Sequence, residues 1–238
     1  MKIFLYIIGC CFIVLFLCGC RKTTGGTSPL EAADSLVSPQ PEPQSPPRFV
    51  ATNYVELDKI GRISKFRSSA GHDYHDSFEQ CRSMKHYFEP KETVDWSGIR
   101  IYSPVKGSVS RLTEEWAGTQ VQIQSAQYPH YYFIIFHINL AVPLHLGDSV
   151  QEGQQLGKHI GSQTTSDIAV GVAADSGWTL VPYCLLLNDS LFQQYRARGV
   201  VSRDDLVISR AARDADTLHC NGDAFSRQGS LEDWVTLK

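Results

Sequence analysis

Excess positive charge is missing from this chain. Its 238 residues carry 22 Lys and Arg against 25 Asp and Glu, a formal net charge of -3. That balance gives no reason to expect a nucleic-acid partner or electrostatic capture by an anionic membrane. No Cys-x-x-Cys spacing occurs, so a thiolate metal site has little support. No internal repeat of 20 to 50 residues is present, which excludes solenoids and propellers. Outside the first 20 residues there is no long apolar run. Strand-like segments follow one another too closely for the crossover helices of a parallel α/β fold.

What is present begins with export. Lys2 precedes an almost unbroken apolar run from Ile3 to Leu17, followed by Leu17-Cys18-Gly19-Cys20 and Arg21-Lys22. A charged start, an apolar stretch and small residues before a cleavage point define a secretory signal, here residues 1–19. The Leu-x-Gly-Cys ending resembles the bacterial lipoprotein box, which implies lipidation of Cys20 and a membrane anchor through that lipid. Arg21 is not the acidic residue that commonly retains lipoproteins at the inner membrane, so the expected location is the cell envelope, on the periplasmic face of the outer membrane. Residues 20–47 then form a tether holding Pro29, Pro39, Pro41, Pro43, Pro46 and Pro47, with few large apolar groups. Such a stretch is expected to stay extended, at about 3.1 Å per residue. Once the signal is removed, Cys81, Cys184 and Cys220 remain. In an oxidising compartment they allow one intramolecular disulfide, with three possible pairings.

The folded part is expected over residues 48–198, with a C-terminal extension at 199–238 packed on it. Two segments have the same grammar. Ile101–Leu112 places a turn at Lys106-Gly107 between apolar positions, and Gly147–Gly157 places one at Glu152-Gly153 between two short strands. Between them lie two apolar runs, Thr119–Ile123 and Tyr131–Ile138, and a further strand is expected at Ile168–Ala173. The pattern predicts a mainly β domain. Tyr54–Ile63 reads as an edge strand or turn, and Asn188–Arg198 as a short helix stopped by Gly199. The tail can cap the domain or form an accessory hairpin.

Between Phe66 and Pro90 ionisable side chains crowd together: His72, Asp73, His75, Asp76, Glu79, Cys81, Arg82, Lys85 and His86, interleaved with Tyr74, Phe78, Tyr87 and Phe88. Such a segment against a β core is either a site or a hydrogen-bonded lid. His130, His145, His159 and His219 read as solvated or hydrogen-bonded residues without a role.

In order, His72-x-x-x-Asp76, the PVKGSV turn, YFIIFHI containing His137, GDSVQEGQQLG and IGSQTTSDIAVGV resemble the core of the lysostaphin or LytM-type zinc endopeptidases, over roughly Gly71 to Leu186. The resemblance implies an antiparallel barrel-sandwich hybrid with a short C-terminal helix and extension. It implies zinc as cofactor, His72 and Asp76 as its first two ligands, and His137 and Asp167 as groups assisting the attacking water. Its implied partner is the peptide of peptidoglycan. The family takes its third ligand from the second histidine of a late His-x-His strand, where this chain reads Asp167-Ile168-Ala169. Ala169 has no donor atom, and a catalytic zinc needs three protein ligands. His75, His86 or Asp167 are the side chains left to complete a rearranged set. The expectation is therefore a degenerate member, a non-catalytic module binding cell-wall peptide or an envelope protein. A working zinc enzyme with rearranged ligands is the alternative.

Overall fold

The computed structural model describes residues 45–238; the signal segment, Cys20 and most of the tether lie outside the described residues. Thirteen strands occur among the described residues. They are β1 (Ile60–Ser64), β2 (His86–Pro90), β3 (Arg100–Tyr102), β4 (Gly107–Glu115), β5 (Gly118–Ser125), β6 (Tyr131–Leu140), β7 (Ser149–Val150), β8 (Gln155–His159), β9 (Ser166–Ala174), β10 (Gly177–Val181), β11 (His219–Asn221), β12 (Ala224–Arg227) and β13 (Trp234–Thr236). Three short helices follow the central strands: α1 (Tyr183–Leu186), α2 (Asp189–Arg196) and α3 (Arg210–Ala215). All named strand pairs are antiparallel, along the order β13-β1-β2-β9-β6-β5-β4-β7, with β10 on β9 and β8 bridging β6 to β3. The mainly β, antiparallel architecture expected from the sequence is the one observed.

The two segments of matching grammar do not close hairpins on themselves. They exchange partners: β3 pairs with β8, and β4 with β7. Ser103 N donates to Gln154 O at 2.9 Å and Gly153 N to Ser103 O at 2.8 Å, tying one turn region to the other. The glycines that punctuate both segments mark close approach. A Cβ at Gly107 would stand 2.1 Å from the Gln124 carbonyl oxygen, and one at Gly157 2.2 Å from that of Asn139. No side chain fits between strands at that separation.

Alternation along the strands builds the main core. Ile123, Phe133, Ile135, Ile168 and Val170 are fully buried in one apolar cluster with Tyr54. A smaller cluster on the other side joins Phe66, Met84, Ile134, Phe136, Ala169 and Leu180. The short C-terminal helix is α2, whose first turn is capped by the Asn188 side chain accepting from Leu191 N at 2.7 Å. Gly199 follows it at φ +96°, in the left-handed region glycine favours.

One expectation is corrected. The Tyr54–Ile63 stretch is neither an edge nor a turn throughout: after a 3-10 turn at Leu57–Lys59, β1 is flanked on both sides, by β2 and by β13 from the far C-terminus. The tail thus adds a strand to the main sheet and also forms the separate β11-β12 hairpin. Of the three possible disulfides, Cys81–Cys220 is formed, fastening that hairpin to the ionisable segment, while Cys184 stays free and buried.

Candidate functional site

Three neighbouring strands build the site. In the β2–β9 register Tyr87 opposes Asp167 and His86 opposes Ile168. Alternation therefore sends Asp167, Tyr87 and Lys85 to one face, and His86 and Ile168 to the other. On the far side of β9, β6 carries an irregularity: its pairing with β5 shifts register near Thr119, and His137 has φ +63°. A non-glycine residue held there stores about 1–3 kcal/mol of strain. The bulge has a geometric result, because adjacent Phe136 and His137 line the same cleft instead of opposite faces. That cleft has a volume of about 580 Å³, and its walls include His72, Tyr74, Lys85, Tyr87, Trp116 and His137.

At its floor lies a buried cation. The Lys85 side chain is only 1% exposed, yet its ammonium is well surrounded: Asp167 Oδ2 at 2.5 Å, His72 Nε2 at 3.2 Å, and the rings of Phe136, Tyr74 and Tyr87 at 4.2, 4.9 and 4.9 Å. Burial favours the neutral amine, but the Asp167 charge and the tyrosine Tyr87 outweigh it and hold the lysine above its ordinary pKa. Burial would likewise raise Asp167; Lys85 and then His137 keep it below the usual carboxylate value. Aromatic faces around an ammonium add cation–π attraction.

The two histidines play different parts. His72 Nδ1 lies 2.8 Å from the Asp73 carbonyl oxygen and so carries the proton, which leaves the Nε2 lone pair for the Lys85 ammonium. His137 has acceptors on both sides, the Ala117 carbonyl 3.1 Å from Nδ1 and Asp167 Oδ1 3.2 Å from Nε2. That arrangement favours the imidazolium. Burial pulls its pKa down, and Asp167 pulls it up further, so the net shift is upward. One carboxylate thus sits between two cations, and Glu115, 4.0 Å from His137, adds a second negative charge at the rim.

The other residues singled out from the sequence have structural tasks. Asp76 is not a partner of His72 in a ligand pair: its Oδ1 accepts from Phe78 N and Glu79 N at 2.8 and 3.0 Å, and its Oδ2 from Leu180 N at 2.9 Å. These bonds fasten the segment to β10. His75, exposed, meets Asp73 Oδ2 at 3.0 Å. His86 points away from the cleft, with Nδ1 2.8 Å from the Ser64 carbonyl, and burial drops its pKa to about 4. Glu79 takes a bidentate grip from Arg67 at 2.7 and 2.6 Å and a third bond from Arg82 at 2.8 Å. The crowded segment is therefore mostly a hydrogen-bonded lid. Of its His, Asp, Glu, Lys and Arg side chains, only exposed His72 in the wall and buried Lys85 at the floor line the cleft.

Zinc does not fit this donor set. The His72 lone pair faces an ammonium, Asp76 is committed to backbone N–H groups, and Ala169 packs in the small apolar cluster. Among the described residues no three His, Cys, Asp or Glu side chains converge as a metal would require. Lys85 was visible in the sequence as one ionisable group among many. The signal that could have singled it out is a lysine directly preceding a strand of buried residues, in phase with Tyr87.

No family model matches the chain, and no curated protein matches it. Several solved chains are similar, among them these two. One is a putative glycyl-glycine endopeptidase LytM from Ruminococcus gnavus, with 16% identity, a TM-score of 0.34 and 43% of each chain covered. The other is the SpoIIQ-SpoIIIAH pore forming complex, with 14% identity, a TM-score of 0.40, and 62% of this chain and 97% of that one covered. At these scores the reading of the site rests on its own geometry.

Proposed function

We propose that this protein is a non-catalytic binding module of the bacterial cell envelope. It is a lipoprotein anchored through Cys20 on the periplasmic face of the outer membrane, and its LytM-like cleft holds peptidoglycan peptide, or a peptide segment of an envelope protein, without hydrolysing it. The observation that carries this reading is the Lys85 nitrogen between His72 and Asp167: the chain's own side chain fills the place where a hydrolase of this type would need a metal with an open position for water. The cleft itself stays open. Its wall of Tyr74, Tyr87 and an 82% exposed Trp116 offers apolar faces, and Glu115, Gln120, Thr164 and Thr165 offer polar groups, the mixture that peptide recognition uses. The Cys81–Cys220 disulfide accords with an oxidising compartment.

Elemental analysis of the protein purified without chelator is expected to show no stoichiometric zinc, in the parent and in a His72→Ala variant alike. Muropeptides incubated with it should bind and be recovered uncut. Hydrolysis of peptidoglycan cross-links that disappears in the His72→Ala variant would overturn the reading.

A further inference from the structure

We propose that Lys85 and Asp167 condense into an intramolecular isopeptide bond, a covalent tie from the residue preceding β2 to the start of β9. The two side chains are 1% and 0% exposed, so both are largely withdrawn from water. Lys85 Nζ stands 2.5 Å from Asp167 Oδ2, yet neither oxygen of Asp167 has a well-aligned hydrogen bond. The carbon bonded to that oxygen is then within about 4 Å of the nitrogen that would attack it. Three aromatic rings wall the nitrogen in and hold it there.

The groups needed to move protons flank both reactants. A proton passes from the ammonium to Oδ2 across their 2.5 Å contact, leaving a neutral amine beside a carboxylic acid, and His72 Nε2, 3.2 Å from Nζ with its lone pair free, takes the second proton as the C–N bond forms. The His137 imidazolium, 3.2 Å from Oδ1, stabilises the oxyanion that forms there when the amine attacks. The Nζ–Cγ bond forms and the Cγ–Oδ2 bond breaks. Oδ2 leaves as water with the two protons that the ammonium loses, one passed to it directly and one by way of His72, and both histidines return to their starting states. Nothing is oxidised or reduced. The reaction happens once per molecule, so the neutral amine need be reached only rarely, and held side by side the reactants act at effective molarities on the order of 10⁵ M or more. Condensation also removes a buried charge pair whose desolvation opposes folding.

The test uses the full chain extracted in detergent, reduced, alkylated and digested with trypsin. The expected product is a branched peptide containing Lys85 and Asp167, lighter by one water than its two linear parts and uncut after Lys85. Lys85→Arg and Asp167→Ala should each abolish it, and His72→Gln should slow its accumulation after synthesis. Two linear peptides, with the chain cut after Lys85, overturn the proposal, as does a water loss placed at any other pair. Either of those results leaves an ordinary ion pair, and the binding function proposed above stands or falls separately, on zinc content and muropeptide recovery.

Discussion

The two faces of β9 lead into different interiors. Ile168 and Val170 enter a core that is apolar throughout, while Asp167, between them and the cleft, meets an ammonium and an imidazolium at equal depth. All three are 0% exposed. On the first face, stability comes from area and shape, and any residue of similar volume would serve. On the second it depends on partners, since a buried carboxylate without counter-charge is among the most costly things a fold can contain. Equal burial therefore implies tolerance on one side of a strand and strict pairing on the other.

The sharpest way to break the contrast is to remove one partner. Lys85→Met leaves Asp167 buried and unpaired, and a loss of about 3–5 kcal/mol is expected in urea unfolding. Adding Asp167→Leu should recover most of that loss. A double variant as unstable as the single would show that the pair is not the reason. On the apolar face Ile168→Ala should cost about 2–5 kcal/mol through its cavity, with no second substitution able to restore it by charge.

Fastening the lid is the next largest effect. Replacing Cys81 and Cys220 together by serine opens a link between residues 139 apart in sequence and should lower stability by about 2–5 kcal/mol. Thermal melts of the variant, compared with the parent with and without reductant, check this: the parent should fall to the variant's level only when reduced.

Acid probes the buried and half-buried histidines with opposite signs. His86 and His159 fall from 6.5 to about 4 in the folded chain, mainly through burial, so the unfolded state binds the extra protons. Their stabilisation is complete above about pH 6.5 and is lost as pH falls toward 4, by at most about 3 kcal/mol each. His137 is shifted upward, so its stabilisation is full below 6.5 and fades as pH rises through its folded pKa. Unfolding measured from pH 4 to 8 should therefore weaken at the acid end, and His86→Gln should flatten that limb. An unchanged acid limb in this variant would assign the loss to other groups. Smallest in stability is Trp116→Ala, expected within about 0.5 kcal/mol of the parent because the ring lies in solvent. Its effect should fall on muropeptide retention instead.

Much of this was legible in the chain itself. Alternating apolar positions and glycines at regular intervals marked β4 to β9, because side-chain period and close strand approach leave local signatures at Val121, Ile123, Gly107 and Gly157. His72, His137 and Asp167 were named from motif and resemblance; His72 and His137 line one cleft, and Asp167 is buried against Lys85 and His137 beside it. Other features depended on residues far apart in sequence. That Lys85 fills the space between His72 and Asp167, that a bulge turns His137 beside Phe136, that Cys81 chooses Cys220 and that β13 covers β1 all rest on contacts made after the sheet has closed. Local patterns decide which way a side chain faces along its own strand. Which charge it meets there is decided by packing, and in this protein that partner is an ammonium.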